Sequence, residues 1–262
     1  MDKSKIALVL GGGAARGIAH IGVLKVLRRY NMSFDIVAGT SIGSLMAAIY
    51  ALGLPLDMVE ETALKTTWKD LSDFAISKIG FLDGINLERI IERLLDGKGF
   101  SDIRKEFAVI ATDIENGDEV IIRSGSLVRA IRASCSVPGV FIPVRVDGRL
   151  LVDGGLRNTV PSEVAKAMGA DFIVAVDVGY CVKKGRITNI FQVLFQSMQI
   201  IGSELNRHET MSADVVINVP LGEEVDQMAF DKAAHIISVG EKAAEDAVPD
   251  IIRLIKIRGH AG

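Results

Sequence analysis

The chain has 262 residues, a length that fits one large domain or two small ones. Apolar residues make up 49% of the sequence and charged residues 24%, so a sizeable core can form and disorder is not expected. The net charge is −3, and no run of Lys and Arg is dense enough to bind a phosphate backbone, which excludes nucleic acid as an expected partner. Cys135 and Cys181 are too few for a disulfide framework, so we expect a reducing, cytoplasmic location.

Apolar runs typical of buried strands alternate with helical patterns along the chain. Strands are predicted at residues 5–10, 34–39, 107–114, 118–125, 149–155, 171–179 and 214–220. Helices are predicted at residues 16–30, 44–53, 56–68, 86–95, 126–134, 160–168, 188–210 and 231–257, whereas residues 69–85 follow no regular pattern. No repeat, linker or composition break divides the chain. We therefore predict one domain over residues 1–262, an α/β fold built as a three-layer α/β/α sandwich with a mainly parallel central sheet.

Two apolar segments raise the question of a signal peptide or a membrane span. The run at residues 6–10 is too short for the apolar core of a signal peptide and stops at three glycines, so we interpret it as mature protein. Residues 36–56 carry no charge and are long enough to span a bilayer. Their glycines, hydroxyl groups and Pro55 favour a buried element of a large core instead.

The segment GGGAARG, residues 11–17, follows a predicted strand and opens a helix, where backbone N–H groups can bind an anion. A dinucleotide fingerprint requires a glycine where Arg16 stands, and a phosphate-binding P-loop requires a lysine where Ile18 stands. Both nucleotide interpretations therefore fail at a required residue. An anion site and a plain tight turn remain open.

The segment GTSIG, residues 39–43, matches G-x-S-x-G between a predicted strand and a predicted helix, which is the context of a nucleophile elbow. Small residues at Gly39 and Gly43 let the strand and the helix approach each other around a strained turn. The turn would hold Ser41 at the helix N-terminus and direct the N–H of Ile42 at a developing oxyanion. A buried serine in an ordinary turn is the alternative.

Loops that follow neighbouring parallel strands lie at one edge of a sheet, so we expect the glycine loop beside Ser41. Backbone can approach a substrate closely where no Cβ intervenes, and Gly11, Gly12 and Gly13 would then supply further oxyanion donors. Arg16 would add positive charge there. The alternative for Arg16 is a surface position on the first helical turn.

Ser41 needs a base, and two kinds of residue compete for that role. Four histidines occur, none in a loop suited to present it: His20, His208, His235 and His260. A Ser–Asp–His triad with His208 or His235 stays open. Asp153, in the segment LVDGG, ends a predicted strand and can act as a base without an imidazole, although an Asx turn is the plainer explanation.

With GGGAARG, GTSIG and VDGG in this order, and IRASCSVPGVFIPV at residues 131–144, the sequence resembles a bacterial patatin-like phospholipase from about residue 5 to 180. The resemblance implies a lipid acyl hydrolase of phospholipase A, lysophospholipase or carboxylesterase type. It implies that Ser41 is the nucleophile and Asp153 the base. It also implies that the loop of Gly11, Gly12 and Gly13, together with Arg16, forms the oxyanion hole. The family's loop often begins with Asp, where this chain has Leu10.

The resemblance also implies an acyl-enzyme mechanism that needs no metal or cofactor, and no cluster in the sequence has metal-ligand spacing. The expected partner is a phospholipid or another acyl ester, reached by peripheral contact with a membrane. The apolar positions of residues 189–205 fit a helix that faces the core, or one that meets lipid or a partner chain. The alternative outside the enzymes is a non-catalytic regulatory or adaptor protein with the same fold. The presence of both Ser41 and Asp153 argues against it.

Overall fold

A central sheet of eight strands organises the part of the chain that the computed structural model describes, residues 4–71, 73, 79–179, 187 and 190–258. For residues 190, 191, 195 and 206–209 only the backbone is described. The strands are β1 (Ile6–Leu10), β2 (Ile36–Thr40), β3 (Glu106–Asp113), β4 (Glu119–Ile122), β5 (Val144–Val146), β6 (Arg149–Asp153), β7 (Phe172–Asp177) and β8 (Val215–Asn218). Strands β8, β7, β1, β2 and β3 pair in that order and run parallel. The antiparallel strands β4 and β6 both pair with β3, and β5 pairs with β6.

Helices cover both faces of this sheet. They are α1 (Ala19–Arg29), α2 (Ile42–Ala51), α3 (Leu56–Lys65), α4 (Trp68–Leu71), α5 (Ile85–Leu95), α6 (Leu127–Ser134), α7 (Ser162–Ala167), α8 (Ile190–Glu209) and α9 (Ala233–Ile257). In β1, Leu8 and Leu10 pack with the larger helical layer, and Ala7 and Val9 pack against the α7 side. Burial on both faces explains why the parallel strands read as continuous apolar runs. The predicted three-layer α/β/α sandwich is confirmed.

The register of β3 brings the ends of two distant strands together. Ile110 pairs with both β2 and β4, so these two strands lie on opposite edges of β3. Ala111 pairs with both β4 and β6, so β6 lies on the same edge as β2. Thr40, the last residue of β2, and Asp153, the last residue of β6, therefore pair with consecutive residues of β3.

The segment considered as a membrane span, residues 36–56, forms β2, α2 and the first residue of α3. Most of its side chains are buried in the core, as expected for an element between sheet and helical layer. Among the described residues, none of the helices combines the length and the apolar character that a bilayer crossing requires.

The sequence patterns place most elements, but they miss β5 and misplace two helix boundaries. β5 joins β6 through Asp147 and Gly148, both with positive φ (48° and 82°), and an Asp-Gly pair between short apolar runs is the usual signal of such a hairpin. The helix predicted from residue 16 begins instead as a 3-10 helix at Ala14–Ile18, and α1 starts at Ala19. The helix predicted over 56–68 is divided into α3 and α4.

Helix α9 packs closely along α1 because two glycines remove the side chains between them. A Cβ on Gly22 would lie 2.1 Å from the carbonyl oxygen of Ile237, and a Cβ on Gly240 would lie 2.2 Å from that of Ala19. Neither position can hold a larger residue unless the helices separate. The C-terminal helix is therefore fixed against the element that follows the glycine loop.

We expect Gly22→Ala to lower the free energy of unfolding by about 1–3 kcal/mol, because the added methyl group overpacks the α1–α9 contact. The intrinsic helix preference of alanine, about 1 kcal/mol, acts in the opposite direction and is the smaller effect. Chemical denaturation measures the difference. The control is Gly99→Ala, since Gly99 has φ of −126° and open space around its Cβ position. Equal stability of the two variants would contradict the packing account.

Candidate active site

Ser41 occupies the turn between β2 and α2 in a strained conformation. Its φ of 53° and ψ of −130° are unusual for a residue with a side chain. The flanking glycines give this turn the space it needs. A Cβ on Gly39 would lie 2.4 Å from the carbonyl oxygen of Gly43, and a Cβ on Gly43 would lie 2.2 Å from that of Leu10. The local sequence thus permits the close strand–helix approach that presents Ser41.

Ser41 and Asp153 are directly hydrogen-bonded. The Ser41 hydroxyl donates to Oδ2 of Asp153 at 2.7 Å, and the other carboxylate oxygen accepts the Gly155 N–H at 2.8 Å. Both side chains are largely buried, with 7% of Ser41 and 6% of Asp153 exposed. The residues are 112 positions apart in sequence, and the β3 register makes them neighbours.

Burial raises the pKa of Asp153 from 3.8 to about 6, while the hydrogen bonds from Gly155 and Ser41 act in the opposite direction. At neutral pH the carboxylate is still mostly ionised. It is a stronger base than an exposed aspartate, because its proton affinity is higher. The site therefore holds a serine beside a carboxylate suited to accept its proton.

Two serines that the sequence analysis did not single out support this pair. Ser134 accepts the Ser41 N–H at 2.7 Å through its hydroxyl oxygen and donates to the carbonyl of Ile110 at 2.5 Å. The carbonyl of Ser136 accepts the Asp153 N–H at 2.9 Å. Both serines lie in the 131–144 stretch that contributed to the family resemblance, which was the available signal.

Arg132, one helical turn before Ser136, fixes the end of α6. Its buried guanidinium donates to the Ser136 hydroxyl at 2.5 Å and to the carbonyls of Gly84 and Asp83 at 3.1 and 2.8 Å. Arg132 therefore connects the end of α6, where the serines bond to the backbones of Ser41 and Asp153, to the residues that precede α5.

The glycine loop lies beside Ser41, but two of its expected oxyanion donors need correction. A Cβ on Gly12 would lie 3.3 Å from the Cβ of Ser41, which shows how close the backbones approach. The Gly11 N–H donates to the carbonyl of Val176 and the Gly12 N–H to that of Thr159, both at 3.0 Å. These N–H groups hold the loop in place and do not point at a substrate.

Unpaired donors lie one step further along the loop and on α2. The N–H groups of Gly13, Ala14 and Ile42 have no hydrogen-bond partner in the described part of the chain. Gly13 and Ala14 line a cavity of about 60 Å³ together with Ser41 and Asp153. Ala14 was missed by sequence reasoning, although the first N–H groups of a helix are characteristically unpaired. Gly13, Ala14 and Ile42 are therefore the candidate oxyanion donors.

Arg16 is buried and bonded to backbone, contrary to both sequence interpretations. Its Nε donates to the carbonyls of Val178 and Gly179 at 2.8 and 3.0 Å, and its Nη1 donates to those of Val225 and Gly222 at 2.5 and 3.1 Å. This bonding ties the glycine loop to the segments after β7 and β8. It favours a structural role for Arg16 over a place in the oxyanion hole.

Among the described side chains, no histidine lines the cavity of Ser41 and Asp153. His20 is buried, its Nε2 lies 2.8 Å from the carbonyl of Gly11, and burial lowers its pKa to about 4. It is therefore neutral and supports the glycine loop. His235 is exposed on α9. The side chain of His208 and all of His260 lie outside the described residues.

Comparison with known proteins places this site in a family. The family model of patatin-like phospholipases matches residues 8–166. The chain belongs to the patatin-like phospholipase family. The match includes the glycine loop, the elbow and Asp153, and it ends within α7.

The relatives compared are much longer proteins. The chain is 39% identical over 183 residues to patatin-like phospholipase domain-containing protein ZK370.4 of Caenorhabditis elegans, a match covering 66% of this chain and 14% of the relative. It is 36% identical over 182 residues to human patatin-like phospholipase domain-containing protein 6, a match that covers 66% of this chain and 13% of the relative. It is 32% identical over 185 residues to the lysophospholipase NTE1 of the yeast Scheffersomyces stipitis, covering 68% and 12%. These relatives are eukaryotic, so the narrower expectation of a bacterial subgroup is unsupported.

Two solved structures share the fold. VipD from Legionella pneumophila gives a TM-score of 0.54 at 14% identity, covering 95% of this chain and 67% of that one. The type III effector protein ExoU gives 0.51 at 13% identity, covering 95% and 53%. At these identities the likeness concerns the fold alone.

Asp153→Asn tests the burial of the charge. The raised pKa means that the native state binds the proton more tightly than the unfolded chain, so the stability from this group is present below about pH 4 and lost as pH rises through about 6. We expect Asp153→Asn to raise stability at pH 8, by about 3 kcal/mol at most, with little gain at pH 4. Thermal melts at both pH values measure this.

The control for that experiment is Asp57→Asn, which changes an exposed aspartate on α3. It should shift the melting temperature little at either pH. A gain from Asp153→Asn that is the same at pH 4 and pH 8 would show that the buried charge is not its source.

Proposed function

We propose that this chain is a lipid acyl hydrolase that cleaves carboxylic esters with a Ser41–Asp153 dyad. The observation that carries the proposal is the 2.7 Å hydrogen bond between the two side chains. Membership of the patatin-like phospholipase family and the name of the yeast relative, a lysophospholipase, support it. The unpaired N–H groups of Gly13 and Ala14 on the same cavity give a place for an oxyanion.

In the first step Asp153 accepts the hydroxyl proton of Ser41 while Oγ attacks the ester carbonyl carbon. The tetrahedral oxyanion is stabilised by the N–H groups of Gly13, Ala14 and Ile42, which need no rearrangement because they are fixed in the loop and at the N-terminus of α2. The bond to the leaving oxygen then breaks, Asp153 returns its proton to that oxygen, and an acyl-Ser41 ester remains.

In the second step water replaces the alcohol. Asp153 accepts a proton from the water, whose oxygen attacks the acyl carbonyl carbon. The same donors hold the oxyanion, the bond to Oγ breaks, and the proton on Asp153 passes to Oγ. A fatty acid leaves, and both dyad residues regain their starting protonation states.

Peripheral contact with a membrane is part of the proposal, and α8 supports it. Met198 and Ile201 of this helix line the dyad cavity. Leu194 and Ile201 are 43% and 55% exposed, so this helix does not bury all of its apolar side chains in the core. The side chains of Phe191 and Phe195 lie outside the described residues. A cytoplasmic location stays a prediction.

Fluorophosphonate labelling tests the nucleophile without knowledge of the substrate. We expect one adduct, on the peptide that contains Ser41, and none on Ser41→Ala, because the probe reacts only with an activated serine. Asp153→Asn should label about 10²–10⁴-fold more slowly, the usual contribution of a general base. Peptide mapping by mass spectrometry identifies the site.

Histidine variants serve as the matched control for this labelling. His208→Ala and His235→Ala should label at the wild-type rate if the dyad acts alone. A large loss in either variant would support the triad alternative. Absence of any adduct on a folded wild-type protein would favour the non-catalytic adaptor.

The labelling rate should fall as the pH drops below about 6, because only ionised Asp153 can accept the proton and burial raises the pKa of Asp153 to about 6. Below that pH the rate should decrease roughly tenfold per pH unit. Rates from pH 4.5 to 8 on protein verified as folded by circular dichroism give the profile. A flat profile over this range would exclude Asp153 as the base.

A further inference from the structure

Two buried glutamines form a hydrogen-bonded pair in the wall of the dyad cavity. Gln199 belongs to α8 and Gln227 to the segment between β8 and α9, and they are 7% and 4% exposed. The side-chain amide of Gln227 donates to Oε1 of Gln199. Both residues line the cavity that contains Ser41 and Asp153. Both also lie beyond residues 8–166, the part of the chain that the family model matches, so family membership assigns them no role.

The glutamine pair leaves most of its hydrogen-bonding capacity unused. A primary amide has two N–H donors and a carbonyl oxygen that can accept twice. Nε2 of Gln199 and Oε1 of Gln227 have no hydrogen-bond partner in the described part of the chain, and neither atom is sealed from a water-sized molecule. Since the rest of each residue is buried, these two atoms face the cavity that the residues line. The cavity wall therefore offers a ligand both a donor and an acceptor.

The charges around the cavity favour a neutral ligand group. Among the described side chains, Asp153 is the charged residue that lines the cavity, and no lysine or arginine does. Phosphate and carboxylate groups are usually bound by such cations, and the ionised Asp153 would repel them. A hydroxyl group fits instead, because its oxygen can accept from Nε2 of Gln199 while its hydrogen is donated to Oε1 of Gln227.

The size of the cavity matches a small alcohol. Its volume is about 60 Å³, and one enclosed water needs about 10–15 Å³, so the cavity has room for about four to six water-sized groups. Glycerol is an alcohol of this size. The volume and the glutamine pair together favour a leaving alcohol that carries a hydroxyl group close to the ester.

We propose that Gln199 and Gln227 bind a free hydroxyl group of the leaving alcohol and make the protein prefer esters of a polyol such as glycerol over simple alkyl esters. The ester oxygen of the bound alcohol lies beside Ser41 and Asp153, so the hydrogen bonds of the pair help to align the bond that breaks. The preference among esters rests on the proposed function, whereas binding of the polyol rests on the cavity alone.

The experiment compares Gln199→Met with Gln192→Met, which makes the same change at an exposed position of α8 outside the cavity. The substrates are 1-octanoylglycerol and propyl octanoate, which share the acyl chain and the carbon skeleton of the alcohol and differ in its hydroxyl groups. We expect the ratio of kcat/KM for 1-octanoylglycerol over propyl octanoate to fall at least about fivefold in Gln199→Met, because hydrogen bonds to the hydroxyl groups are lost. Gln192→Met should keep the wild-type ratio.

A second variant covers the case in which Gln199→Met does not fold. That substitution leaves the buried amide of Gln227 without its partner, which lowers stability. The double variant Gln199→Met/Gln227→Met removes both amides and leaves no such group. The backbone carbonyl of Gln227 still accepts the Ala15 N–H in the double variant, so the glycine loop keeps this contact. The double variant should show the same fall in the substrate ratio.

Binding of 1-O-octylglycerol, an ether that cannot be hydrolysed, to the Ser41→Ala protein tests the pair without catalysis. The ether should bind when measured by calorimetry. Gln199→Met or the double variant in that background should weaken binding at least about fivefold, and Gln192→Met should leave it unchanged. Absence of ether binding to Ser41→Ala would overturn the polyol site.

The outcomes separate this inference from the proposed function. Ether binding that Gln199→Met weakens, in a protein that neither labels with fluorophosphonate nor cleaves esters, would uphold the polyol site and overturn the hydrolase. Labelling and ester cleavage with an unchanged substrate ratio in the folded variants would uphold the hydrolase and overturn the polyol site. An equal loss of activity on both esters would also overturn it, because the pair would then act on a step that both esters share.

Discussion

The hydrogen bond from Ser41 to Asp153 depends on the register of β3 more than on either residue's own surroundings. Thr40 and Asp153 pair with Ile110 and Ala111, so the ends of β2 and β6 meet on one edge of a shared strand. A slip of β6 by one residue would turn the Asp153 side chain to the opposite face of the sheet. Ser134 at the end of α6 and Ser136 just after it reinforce this arrangement, because Ser134 accepts the N–H of Ser41 and Ser136 accepts that of Asp153.

The burial of Asp153 lowers the stability of the fold at neutral pH and raises the basicity of the carboxylate. Burying a carboxylate without a cationic partner is unfavourable, and the raised pKa of Asp153 expresses that cost. The burial also makes the carboxylate a better base, so the feature that weakens the fold at neutral pH is the one that suits Asp153 to activate a serine. The strained backbone of Ser41 is likewise unfavourable for stability, and it requires glycines on both sides of the turn, where no side chain can pack.

Ser41 lines two cavities that differ in size and in their lining residues. The smaller cavity is lined by Asp153 and by Gly13 and Ala14, whose N–H groups are unpaired in the described part of the chain. The larger cavity is enclosed by α2 to α5 and is apolar, and the hydroxyls of Thr62 and Thr66 in its wall are bonded within α3.

By itself the sequence determined the alternation of buried strands and helices, the elbow around Ser41 and the candidacy of Asp153, because each depends on local sterics and on residue types close together in the chain. Tertiary structure decided what depends on distant partners. The N–H groups of Gly11 and Gly12 are occupied by carbonyls of residues 176 and 159, which leaves Gly13 and Ala14 as the free donors. Arg16 is bonded to carbonyls more than 160 positions away, and the apolar cavity arises only when α2 to α5 pack together. No local pattern encodes which of several adjacent N–H groups a remote strand will satisfy.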